Sequence, residues 1–305
     1  MMMKRISIVT VIVFVFLWNT FYSISQSQGK EHVAFSGMST EQVAAVRMAA
    51  AEYLDLPVEI KIPLDDAVSI ELVLIPPGEF LMGSQDSKER SAEKFGGQAS
   101  AYDLEHPQHP VRITKPFYLG KFEITQKQWN VLMDENPSPR KMDALPVEHV
   151  SWDDCKEFCK RLSNRVGKTI RLPTEAEWEF ACRAGTKTAY YFGDRLSSEQ
   201  ANFLSDGAVQ VGSYQPNAWG LYDMHGNITE WVEDYYYQYT KDLKIDPWET
   251  EYPYGGRMLR GGDYADDKKK LRSAYRYAHL KSMGDQISGL RIAVAADDGK
   301  EHVAD

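Results

Sequence analysis

Apolar positions along this chain follow three different rules. From Ile6 to Trp18 they form one nearly unbroken run behind Lys4 and Arg5. From about residue 40 to residue 183 they recur at helical spacing or gather in short strand-like clusters. Beyond Gly185 they scatter among Gly, Asn, Asp and aromatic residues with no steady period, as in Trp219-Gly220-Leu221-Tyr222-Asp223. The first rule is that of a secretory leader: a positive start, an apolar stretch, then Ser23-Ile24-Ser25 ahead of a cleavage point near Gln26. Residues 1–25 are therefore expected to be a signal peptide. The mature protein would be secreted or periplasmic, with no membrane span after cleavage. An uncleaved anchor is the alternative, because apolar character continues through Phe21, Tyr22 and Ile24.

The second rule predicts helices with identifiable starts. A Ser or Thr followed three residues later by Gln, Glu or Asp can satisfy the orphan N–H groups of a first helical turn. Ser39 and Gln42 predict a helix to about Leu54, with Val43, Val46, Ala50 and Leu54 near one face. Thr125 and Gln128 predict another through Met133, stopped by Asn136-Pro137-Ser138-Pro139. Ser151 and Asp154 open a third, whose Cys155, Phe158, Cys159, Leu162 and Val166 keep helical spacing until Gly167 ends it. Thr174 and Glu177 open a fourth that carries Trp178, Ala181 and Cys182. Strands are expected at Ile70–Ile75, at Phe80–Met82 after the Pro76-Pro77-Gly78 turn, and at Val111–Thr114 and Phe117–Glu123. Later come Arg257–Arg260 and Leu290–Val294. Residues 84–109, charged and without period, read as a long surface loop. The chain thus divides into the leader, an N-terminal lead with a short helix at 26–69, a main domain at 70–296 and a polar tail at 297–305. Gly29-Lys30-Glu31-His32-Val33-Ala34 recurs as Gly299-Lys300-Glu301-His302-Val303-Ala304, and the pattern offers no physical account of it.

Composition narrows the function. The hydrophobic share of 43% belongs to a globular protein with a substantial core. A formal net charge of −9 speaks against nucleic acid, whose binding rests on Lys and Arg neutralising phosphates. Lys268-Lys269-Lys270 reads as a solvated loop. The three cysteines, Cys155, Cys159 and Cys182, are too few for a disulfide framework, and the first two read as buried small hydrophobes. His106 and His109 lack a third ligand and read as surface histidines.

A series of motifs then occurs in order. It comprises Pro77-Gly78-Glu79-Phe80-Leu81-Met82-Gly83-Ser84, Phe122-Glu123-Ile124-Thr125-Gln126, Val150-Ser151-Trp152-Asp153-Asp154 and Arg171-Leu172-Pro173-Thr174-Glu175-Ala176-Glu177-Trp178-Glu179. Next stand Gly220-Leu221-Tyr222-Asp223-Met224-His225-Gly226-Asn227 with Glu230-Trp231, then Leu259-Arg260-Gly261-Gly262, Arg272-Ser273-Ala274-Tyr275-Arg276 and Gly289-Leu290-Arg291. In these segments the chain resembles the formylglycine-generating enzyme, or sulfatase-modifying factor, family. The resemblance implies a single α+β domain related to C-type lectins, with little regular secondary structure.

The family's enzymes oxidise a cysteine of a sulfatase peptide with oxygen and a copper ion held by two thiolates. Soft thiolates suit Cu(I). No cysteine follows Cys182 here. By the resemblance, Asp266 stands where the first thiolate is expected and Leu271 where the second is. Asp263 replaces a serine, and Thr229 replaces a tryptophan. No residue is therefore assigned as catalytic or copper-binding, and formylglycine generation is not expected. Cys159 and Cys182 resemble structural cysteines of the enzymes without their partners. The resemblance does carry over a calcium site, with the carboxylates of Asp223 and Glu230 and the backbone carbonyls of Gly226 and Ile228 as ligands. Hard oxygen donors at a glycine-permitted turn are what calcium requires. The competing reading is that both carboxylates cap backbone amides.

The sequence therefore favours an exported, calcium-stabilised binding or maturation module, with a peptide, protein or glycan as partner. Tyr235-Tyr236-Tyr237-Gln238-Tyr239 offers a candidate contact surface or, equally, a packed loop. The alternative is an oxidoreductase or maturation enzyme of the same family with a metal site rebuilt from Asp263, Asp266, Asp267 and His279.

Overall fold

The computed structural model describes residues 33–251, 256–282, 284 and 287–296. The leader, the polar tail and most of the repeated hexapeptide lie outside the described residues. The α-helices are α1 (Thr40–Tyr53), α2 (Lys88–Phe95), α3 (Gln126–Leu132), α4 (Trp152–Val166) and α5 (Glu175–Arg183). The strands are β1 (Glu59–Pro63), β2 (Ser69–Ile75), β3 (Gly78–Met82), β4 (His109–Ile113), β5 (Phe117–Gly120) and β6 (Ile170–Arg171). Then follow β7 (Thr229–Tyr235), β8 (Lys244–Ile245), β9 (Gly256–Arg260), β10 (Tyr277–Leu280), β11 (Ser288–Leu290) and β12 (Ala293–Ala295). All four predicted helix starts carry a reciprocal capping box, and Gly167 closes α4 in the left-handed conformation.

Three differences from expectation have clear causes. Residues 84–109 are not a loop: they hold α2, a 3₁₀ helix at Ala99–Glu105 and the start of β4. Ser91 is the one buried residue of α2, so the segment has no apolar stripe to betray it. It is held instead by Arg272, whose guanidinium takes both oxygens of buried Glu105 at 2.5 and 2.6 Å. The expected strand Leu290–Val294 is two strands, separated where Arg291 turns inward. Lys268–Lys270, read as a solvated loop, forms a short 3₁₀ helix capped by Asp267.

The strands make a five-stranded antiparallel sheet in the order β1-β2-β5-β12-β6, a four-stranded sheet β10-β9-β7-β11 and a three-stranded sheet β3-β4-β8. Side-chain alternation on the first sheet separates two cores. Val73 and Ile75 of β2 join Phe35, Trp178, Phe180 and Trp219 on one side. Ile70, Leu72 and Leu74 join Trp129, Trp152, Phe158 and Trp231 on the other. Because both faces are covered, the sheet reads as a continuous apolar run in sequence.

Helix α5 enters this interior whole, its charged residues included. Burial of a charge is tolerable only with a partner. Glu179 meets Arg183 and Arg260, and Glu175 takes Arg276 at 2.6 and 2.7 Å. Arg260, Arg272 and Arg276, from two late motifs, therefore serve as counterions to carboxylates far away in sequence.

Candidate functional site

Strand β7 and the turn before it organise the candidate site. The turn holds Asp223, Gly226 and Asn227 at positive φ. Gly226 has no alternative, since a Cβ there would lie 2.3 Å from the Asn202 carbonyl oxygen. Asn227 donates to Glu123 Oε2 at 2.6 Å, and its own carbonyl accepts from the Val209 amide at 2.9 Å.

Three buried carboxylates gather beneath this turn. Glu123 accepts from the Ile228 amide at 3.2 Å, and its pKa lies well above the ordinary range because of burial and the nearby Asp223 and Glu230. Asp223 accepts from the Gly212 amide at 2.6 Å through Oδ2, while its buried Oδ1 has no partner. Burial raises the Asp223 pKa to about 6. Glu230 is fully engaged: Arg291 donates to it at 2.8 Å and the Trp178 indole at 2.8 Å. Sequence reasoning missed Glu123 as a third carboxylate here and Arg291 as the counterion of Glu230, although both sit in the quoted motifs.

A calcium ion fits this set best at its Asp223 end, where an anionic oxygen stands buried and unsatisfied. At the Glu230 end the carboxylate already has a counterion in Arg291. Among the described residues, no group of three or more His, Cys, Asp or Glu side chains is arranged to hold a metal. Any ion here would therefore depend on backbone carbonyls for much of its shell.

Asp266 and Leu271, the positions that the resemblance matches to the enzymes' thiolates, lie on the loop after β9. Leu271 is fully buried. Its methyl carbons lie 2.9 Å from the points where Cβ atoms of Gly226 and Gly262 would be, so the two glycines make room for it. Asp266 accepts from Lys270 Nζ at 2.6 Å and lines a cavity of about 120 Å³. Thr229, Asp263, Lys270, Tyr275 and Tyr277 also line it. Burial and the nearby Asp266 raise the Asp263 pKa to about 6.

Other candidates take structural places. Asp267 caps the 3₁₀ helix and pairs with Lys269. His279 packs against Tyr277 and Trp231, so it does not join Asp263 and Asp266 as a third ligand. His109 is not a surface residue: it is buried against Tyr239 with ring centroids 4.4 Å apart. The tyrosine run is largely a packed loop, with Tyr236, Tyr237 and Tyr239 walling in the Arg276 guanidinium. Cys155, Cys159 and Cys182 are buried free thiols. Cys182 lies 3.9 Å from His225, but that ring donates to the Leu271 carbonyl at 2.7 Å and accepts from the Tyr191 amide. Burial lowers the His225 pKa to about 3, so this neutral ring is committed to the backbone.

Residues 65–296 match the family described as "Sulfatase-modifying factor enzyme 1-like domain". The chain belongs to this family. Over 256 residues it is 32% identical to the serine/threonine-protein kinase pkn1 of Chlamydia caviae, covering 73% of this chain and 38% of that protein. The chain thus spans well under half the length of that curated relative. It is 25% identical over 312 residues to the mouse protein described as inactive C-alpha-formylglycine-generating enzyme 2, covering 79% of this chain and 91% of the relative. Among solved structures, PvdO from Pseudomonas aeruginosa superposes with a TM-score of 0.65 at 26% identity, covering 77% of this chain and 98% of that one. The sulfatase-modifying-factor fold is α+β and C-type lectin-like, as the motifs implied. Among the described residues no helix is long and apolar enough to cross a membrane.

Proposed function

We propose that this sulfatase-modifying-factor domain is an exported, calcium-stabilised binding or maturation module that does not oxidise cysteine. The observation that carries this reading is the surroundings of Asp266 and Leu271, the two positions that the resemblance matches to thiolates. One is a carboxylate neutralised by Lys270, and the other is a leucine wedged between two glycines. A hard, ion-paired carboxylate is a poor ligand for Cu(I), and leucine is none. A family relative described as inactive supports such a departure. Asp223, with the carbonyls of Gly226 and Ile228, would hold the calcium, and Glu230 would join the ligand set only by giving up part of its contact with Arg291 and Trp178. The ion would supply positive charge next to Glu123 and Asp223, and its role would be structural. The apolar leader behind Lys4 and Arg5 supports export, and the small cavity beside Asp263 supports a peptide, protein or glycan contact.

The test uses the mature chain. With a sulfatase-type cysteine peptide, oxygen and Cu(I), mass spectrometry should find no aldehyde, and an aldehyde would overturn the reading. Selection of displayed random peptides on the immobilised protein should return binders, and an empty selection would remove peptide binding from the proposal.

A further inference from the structure

The cavity beside Asp263 and Asp266 has chemistry of its own. At about 120 Å³ it is smaller than a pocket for a whole cofactor or drug-sized ligand, and suits the tip of one side chain. Its walls carry two carboxylates, Asp263 and Asp266, against one ammonium, Lys270. Lys270 is spent on Asp266 at 2.6 Å. Asp263 accepts only from neutral donors, the Ala265 amide at 2.9 Å and the Thr229 hydroxyl at 3.4 Å. The pocket is thus left with one uncompensated negative charge. Tyr275 and Tyr277 line the same space, and aromatic rings beside a carboxylate favour an organic cation.

A second observation concerns the neighbouring backbone. Strand β10, which begins with Tyr277, is an edge of the four-stranded sheet, and no described strand pairs with its outer side. Tyr277 and Leu280 at its ends are 37% and 47% exposed. Such an edge can accept an extended chain as a further strand.

Building on the binding-module reading, we propose that the pocket takes the basic side chain of an extended peptide laid along β10. Asp263 is the counterion, Tyr275 and Tyr277 are the walls, and the edge of β10 supplies the backbone ladder.

The test is calorimetric titration of the mature chain with a blocked heptapeptide of alternating Thr and Val carrying one central Lys. The control peptides carry Gln or Arg at the centre. The Lys and Arg peptides should bind about tenfold or more tightly than the Gln peptide, because a hydrogen bond to a charged group is worth more than one between neutral groups. Asp263→Asn should abolish that preference. Tyr277→Ala, at an exposed position, should weaken both basic peptides without lowering the melting temperature. Equal binding of all three peptides, an Asp263→Asn variant that keeps the preference, or no binding at the solubility limit would each overturn the proposal. Displayed-peptide binders indifferent to Asp263→Asn would overturn it while leaving the binding module standing.

Discussion

Arg291 and Glu230 form an ion pair at 2.8 Å in the interior, their side chains 0% and 2% exposed. The same guanidinium donates to the carbonyls of Gly120 at 2.7 Å and Tyr222 at 2.8 Å. One side chain therefore ties β5, the turn before β7, and β7 itself. Removing one partner of a buried pair leaves the other uncompensated and costs about 3–5 kcal/mol. Arg291→Met should destabilise the protein by that order in urea unfolding. Pairing it with Glu230→Gln should recover part of the loss, and a double variant no better than the single one would show the coupling to be absent.

Asp223 provides the calcium test. If calcium binds the native state alone, a hundredfold excess over its dissociation constant adds about 2.7 kcal/mol. For a domain of this size that is roughly 5–10 °C in melting temperature. The wild type should gain this shift with calcium and lose it with chelator, and Asp223→Asn should show neither. A shift of the same size in Asp223→Asn would remove this residue from the ligand set.

Leu271 tests whether the loop after β9 is anchored in the core. Leu271→Ala should cost about 2–5 kcal/mol, the range for deleting a buried leucine side chain. Asp266→Asn, at a half-exposed ion pair, should cost under about 1 kcal/mol. Equal effects in denaturant titrations would contradict the wedge between Gly226 and Gly262.

Asp234 gives a pH signature. It is fully buried and accepts from the amides of Glu175 at 2.7 Å and Glu249 at 2.9 Å. Burial and the nearby Glu175 raise its pKa from 3.8 to about 8. The native state holds this proton more tightly than the unfolded chain does. The resulting stabilisation is complete below about pH 4 and is lost as pH rises through 8. Asp234→Asn leaves one amide facing an N–H donor, so it should be less stable at pH 5 by about 1–3 kcal/mol. Its stability should nevertheless fall less between pH 5 and 9 than that of the wild type. Parallel slopes in urea titrations at the two pH values would refute the assignment.

Elements whose causes are local were legible in the residues alone. Ser39, Thr125, Ser151 and Thr174 each cap the helix they open, because a cap and its partner are three residues apart. The ordered motifs determined the family, and the absence of cysteine after Cys182 was legible without coordinates. Tertiary structure decided what those motifs do. That Arg260, Arg276 and Arg291 neutralise Glu179, Glu175 and Glu230, and that Arg272 holds Glu105 and so orders residues 84–109, depends on contacts across 61 to 167 positions. A buried charge constrains its surroundings only through a partner, and a partner so distant leaves no period or spacing to read. The same holds for the site. Asp263 and Thr229 are 34 positions apart and share one cavity, whereas Asp267, beside Asp266 in sequence, is spent on a helix cap.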